Sequence, residues 1–174
     1  MATAENHLIA LLPRKDRQRL LALCEPVQLI LSDVLPERDQ PTRHADFPNK
    51  GFIWLITQIE NHPGLEFGMV GREGMLGAQL AMGVLKSPLH ALVQGPGTAW
   101  RINTKAFRKE LAISTALQPI MSRYLYVLMA QLASSATCLR FHQIGPRLAR
   151  WLLMSQDRAQ SDQFHVTQRT MPNY

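Results

Sequence analysis

Cysteine is scarce in this chain, aromatic residues make up only 7% of it, and acidic residues thin out towards its end. Cys24 and Cys138 are the only two cysteines, too few and too far apart for a zinc or iron–sulfur pattern, so both read as packed free thiols. Six histidines are scattered from His7 to His165 and form no His-X-His cluster with a carboxylate, which places a metal-dependent jelly-roll enzyme well below a non-enzymatic reading. No cofactor and no metal site is expected. The start, MATAENHLIALLPRKDR, lacks the basic segment and small-residue cleavage site of a signal peptide. The uncharged run in the most apolar stretch falls short of the roughly 20 residues a bilayer demands, so no membrane contact and a cytoplasmic protein are expected. Hydrophobic residues are 46% and charged residues 18% of the chain, which argues against disorder. Beyond Glu110 six arginines face only Asp157 and Asp162. That part of a chain carrying +6 overall is compatible with a phosphate backbone, or with a solvated helix face.

What the sequence has in plenty is one apolar helical stretch, PIMSRYLYVLMAQLASSATCLR, over 119–140. Met121, Leu125, Leu128, Leu132, Ser135 and Leu139 step by alternating fours and threes, a heptad seam that predicts a partner helix. Ile120, Tyr124, Val127 and Cys138 make a second stripe, and Met129, Ala130, Ala133 and Ala136 carry the apolar character further round. A helix apolar on most sides is buried on most sides. The expectation is a dimerisation helix packed on its own domain by one face, with the seam between two copies; a plain core helix of a monomer is the alternative.

Ahead of it, Leu8, Leu11 and Leu12, then Leu20, Leu21 and Leu23 around Pro13, predict two short amphipathic helices. From Val27 the texture becomes VQLIL, GFIWLITQI, LEFGMV, HALVQ and TAWRI, separated by PERDQP, FPNKG, NHPG and GPG. Short apolar runs with turn chemistry between them predict antiparallel strands closing into a jelly roll or β-roll. In LEFGMV, Leu65, Phe67 and Met69 share one face and Glu66 and Gly68 the other. Asn103 or Thr104 caps a short helix bearing Phe107 and Leu111. At Gly145 and Pro146 a new helix and a domain boundary are expected, with Leu148, Trp151 and Leu152 buried. A brief strand over Phe164 to Val166 and an N-cap at Thr167 follow.

This order of elements, with HADFPNKGFIWLI entering the roll, EFGMVGREGMLG at a glycine-rich turn and RLARWLLMSQDR opening the last part, resembles the Crp/Fnr family of bacterial transcription regulators across essentially the whole chain. The resemblance implies a mainly β fold with helices: N-terminal helices and an effector-sensing, cyclic-nucleotide-binding-like antiparallel roll over 1–116, a long dimerisation helix over 117–143, and the start of a winged helix-turn-helix over 144–174. It implies a homodimer, seamed through Met121, Leu125, Leu128, Leu132 and Leu139, that regulates transcription through a small-molecule effector. Thr167 and Gln168 match the family, but RTMPNY then replaces the recognition helix, so DNA binding is expected of an intact family member and not of this chain. Arg147, Arg150 and Arg158 would meet DNA phosphates. A structural dimerisation module, or an interfering partner of an intact regulator, is the alternative function.

For the effector pocket the resemblance implies Gly74 and Met75 at the ribose, Lys86 and Ser87 at the phosphate, and Leu132 and Ala133 at the base. Met75 cannot accept a ribose hydroxyl as a carboxylate does, and lysine lacks the planar fork of arginine. An effector other than cyclic AMP, or none, follows. A haem or iron–sulfur sensor, which the family also contains, lacks its cysteine cluster here.

Overall fold

The computed structural model describes residues 6–35, 40–57 and 65–160. Two short helices, α1 (His7–Ala10) and α2 (Arg14–Ala22), lead into a four-stranded antiparallel sheet of β1 (Cys24–Leu29), β2 (His44–Thr57), β3 (Leu65–Val70) and β4 (His90–Asn103). A 3-10 turn spans Ala78–Met82, and α3 (Thr104–Ile113), α4 (Leu117–Phe141) and α5 (Ile144–Ala159) complete the order. The sheet runs β1-β4-β2-β3, so the two 14-residue strands form its centre.

FPNKG and GPG, expected to be turns between strands, instead lie inside β2 and β4. The register of the β2–β4 pair shifts at Pro48/Lys50, Lys50/Phe52 and Phe52/Ile53. Bulges absorb the proline, which has no N–H to give the ladder, and bend the long strands round into a roll. Gly51 sits at φ +80°, and a Cβ on Gly97 would lie 2.1 Å from the Lys50 carbonyl oxygen. Glycine here permits close backbone approach across the bulge, where sequence reading alone places chain reversals.

Three apolar clusters fill the structure. Ile9, Leu20, Phe47, Phe107 and Met121 are fully buried where the N-terminal helices, sheet, α3 and α4 meet, with Phe47 and Phe107 edge to face at 6.2 Å. Ile53, Val70, Val93 and Ala99 form a second cluster with Leu29. Phe52, Trp54 and Met69 form a third, covered by Trp151 of α5. Neighbouring residues of β2 and β3 thus alternate between the last two clusters, as the strand period requires.

The α4 helix begins where the Ser114 hydroxyl accepts the Leu117 N–H at 3.1 Å, with Pro119 in the first turn, where no N–H is needed. Its heptad seam is not a free face. Met121 is fully buried in the first cluster, Leu125 packs against that cluster and Leu128 against the second. Leu132 lies 3.2 Å from the place a Cβ would take on Gly68, and Ser135 is buried. The longer side chains of the seam bind the helix to its own roll. The exposed side carries Tyr126 (69% exposed), Val127 and Met129 (63%), followed by the exposed Ala130, Ala133 and Ala136.

α4 ends at His142, and Gly145 and Pro146 fall within the first turn of α5. α5 packs back on the sheet, Trp151 lying edge-on to Trp54 with centroids 6.0 Å apart. The strand and cap expected over 164–167 lie outside the described residues.

Candidate functional site

One loop, Gly71 to Gly77, gathers the other elements. Gly74 N–H closes a tight turn on Gly71 O at 3.0 Å, and a Cβ on Gly74 would fall 2.4 Å from the Tyr124 hydroxyl. The absence of a side chain therefore lets α4 close on the loop. Tyr124 donates its hydroxyl to Met75 O at 3.2 Å, and burial holds its phenol well above the ordinary range. On the N-terminal side, Asn6 donates through Nδ2 to both Pro48 O and Gly74 O at 2.9 Å. Its Oδ1 caps α1 by accepting from Leu8 and Ile9 N–H. His7 N–H reaches Arg72 O at 2.8 Å.

The same loop and the strand before it also hold α5. Glu73 pairs with Arg158 at 2.9 Å, and Trp151 Nε1–H donates to Glu66 Oε2 at 2.9 Å. Burial pushes the Glu66 carboxyl up to about 7, against the Trp151 hydrogen bond and the charges of Arg150 and Arg158, which pull it down. Beyond the loop, Asp46 exchanges backbone hydrogen bonds with Leu76 and is paired with Arg101 at 2.6 Å. Gln118 of α4 donates to Ala81 O. A displacement of this loop must therefore be felt by α1, α4 and α5 together.

The six residues implied for an effector pocket do not converge. Gly74 and Met75 lie in the loop, with Met75 only 1% exposed and part of the first cluster. Lys86 is exposed beside Pro41, while the Ser87 hydroxyl accepts the Leu89 N–H. Leu132 is committed to Gly68, and Ala133 is exposed on the far side of α4.

The arginines divide. Arg158 is 9% exposed and faces inward to Glu73, so it is not available to a DNA phosphate. Arg150 donates to the Ser135 hydroxyl at 2.6 Å, and Arg147 is half-buried. Charge count alone does not show this burial of Arg158, which comes from the packing of α5 on the loop. Trp151 is buried as the sequence predicts, but the contacts of Tyr124, Glu66, Glu73 and Trp151 at the loop were not read from the sequence; Gly71, Gly74 and Gly77 spaced by three were the available signal.

Cys24 is half-buried, and burial raises its thiol to about 12. Cys138 is buried with its Sγ 3.4 Å from His142 Nδ1. Among the described residues no group of three or more His, Cys, Asp or Glu could hold a metal ion, and no helix is long and apolar enough to cross a membrane.

No protein-family model matches the sequence, and no curated protein matches it. Solved structures do match. The c-di-GMP-responsive global regulator CLP of Xanthomonas campestris superposes with a TM-score of 0.61 at 16% identity, over 86% of this chain and 75% of that one. FixK2 of Bradyrhizobium japonicum gives 0.67 at 10% identity, over 78% and 67%. A cyclic nucleotide-binding domain from Methylobacillus flagellatus gives 0.64 at 13% identity, over 82% and 84%. Identities this low speak for architecture only. The antiparallel roll with its lid, long helix and returning helix is the cyclic nucleotide-binding-like fold seen in Crp/Fnr regulators.

Proposed function

We propose that this chain is the effector-sensing and dimerising part of a Crp/Fnr-like transcription regulator, and not an enzyme. The observation that carries this reading is the outward side of α4. Tyr126 and Met129 are more than 60% exposed on a 25-residue helix, and the exposed alanines that follow allow a second helix to approach closely. A contiguous exposed apolar strip of this kind marks an association surface. A second copy supplies an identical strip, and self-complementary packing about a two-fold axis is the commonest way to cover one. The seam is therefore moved from Met121, Leu125, Leu128, Leu132 and Leu139 to the opposite side of the same helix. DNA is the partner of the whole regulator, and α5 is the first helix of the part that would read it. The effector is not cyclic AMP, because Met75 lies in the core where a ribose carboxylate would be needed, and Lys86 stands where the phosphate fork of an arginine would be.

Sedimentation together with calorimetry tests the proposal. The purified chain should sediment as a dimer at micromolar concentration and give no saturable heat with cyclic AMP. A monomer throughout that range would sink the dimer, and a micromolar dissociation constant for cyclic AMP would sink the assignment of its pocket.

A further inference from the structure

Beside the loop lies a groove that the family pattern does not point to. Its volume is about 480 Å³, and its walls are Leu8, Leu11 and Pro13 on one side and Pro119, Ile120 and Val127 of α4 on the other. Tyr124, Arg123 and Glu73 line it too, Tyr124 buried and Arg123 exposed. The volume falls within the range of small-molecule sites, which are mostly apolar with a few placed polar groups.

Its two charges are not equivalent. Glu73 is already spent on Arg158 and on the Gly71 N–H. Arg123 is exposed and forms no ion pair among the described residues. An otherwise apolar groove with one uncommitted guanidinium suits an apolar tail that ends in an anion. A planar carboxylate matches the guanidinium fork with two parallel hydrogen bonds.

A second copy of the chain is not the fitting occupant. Residues advance by about 100° along an α-helix, so Ile120, Tyr124 and Val127 centre more than about a third of a turn from the strip of Tyr126, Met129, Ala130 and Ala133, with Val127 at the border beside Ala130. A helix seated on that strip leaves the groove open beside it.

We propose that this groove between the N-terminal helices and α4 binds an aliphatic monocarboxylate, its chain between Leu8, Leu11, Ile120 and Val127 and its carboxylate on Arg123. The proposal names an effector class for the sensor described above. It rests on that reading for its regulatory consequence but not for the binding itself. The groove borders Glu73 and Tyr124, so an occupant there touches the loop that holds both α4 and α5.

Decanoate is the probe, titrated into the full chain by calorimetry and by methyl NMR of Leu8, Ile120 and Val127. Saturable one-to-one binding is expected, with shifts confined to those methyls. Each loss of two methylenes should weaken binding about tenfold. Decylamine should bind at least about tenfold more weakly than decanoate, since a carboxylate on guanidinium is a charge-assisted pair. Arg123→Glu should reverse that preference, and Leu11→Glu should weaken decanoate without unfolding the chain, both residues being exposed. Binding that ignores the head group, or survives Arg123→Glu unchanged, overturns the proposal. So does an absence of binding with the groove methyls protected by dimer contacts, which would give the groove to a second copy. Dimer state and cyclic AMP response are read in separate experiments, so failure here leaves the regulator reading to its own test.

Discussion

Glu66 is the residue at which burial and function meet most sharply. Its carboxyl accepts the Trp151 indole N–H at 2.9 Å yet is raised by burial from 4.5 to about 7. The folded chain therefore holds a proton there more tightly than the unfolded chain does. The stability this contributes is fully present below about pH 4.5, declines as pH rises and is lost above about 7. A shift of this size corresponds to roughly 3 kcal/mol before the reduction that solvent screening brings at a half-buried group. Glu66→Gln keeps an acceptor for Trp151 and removes the titration. Urea denaturation at pH 5 and 7.5 should show the variant gaining on the wild type as pH rises by about 1–2 kcal/mol. A constant difference between the two pH values would mean that Glu66 is ionised throughout. In sequence Glu66 was only the polar residue of an alternating strand. Its environment comes from a helix about 85 positions away, and no local pattern encodes that approach.

At the scale of elements, α4 separates what the sequence states from what it leaves open. The length of the helix, its start near Pro119 and the cap of α3 at Asn103 all follow from local chemistry, and the structure places them within a few residues. Which side faces inward does not follow, because apolar residues run round most of the helix. The roll takes Met121, Leu125 and Leu128, leaving smaller alanines with Tyr126 and Met129 outside. The strands show the same limit: their apolar runs were legible, but glycine and proline at bulges look the same in sequence as glycine and proline at turns. The two faces of α4 should respond differently to charge. Tyr126→Glu with Met129→Glu places like charges face to face across the proposed dimer, and sedimentation should show monomer with little change in melting temperature. Leu128→Glu instead places a carboxylate against the second apolar cluster and should cost about 3 kcal/mol or more of folding stability. If the outward pair leaves the dimer intact, the helix pairs elsewhere or not at all.

At the scale of the whole molecule, a continuous sheet on one side faces a single returning helix on the other. β2 and β4 pair along most of their length, whereas the contacts of α5 with the rest include the Trp54–Trp151 edge contact, the Glu66 and Ser135 hydrogen bonds, the Arg158–Glu73 pair and the packing of Leu148 and Met154. Local opening follows the weakest set of contacts, and ligand-responsive parts are drawn from the less stable end of a structure. Removing two fastenings at once should show where cooperativity ends. Trp151→Ala deletes an aromatic contact and leaves Glu66 without its donor, and Arg158→Ala leaves Glu73 without its partner. Together these losses come to about 3 kcal/mol or more. Hydrogen exchange of the double variant should therefore show protection lost across 144–159 and reduced across 71–77, while β2 and β4 keep theirs. Because Glu73 also borders the groove at Arg123, decanoate binding should change in this variant although neither altered residue lines that groove. Uniform loss of protection over sheet and helix would mean that α5 is part of the folding core, and that motion at the loop cannot reach the segment beyond it without unfolding the roll.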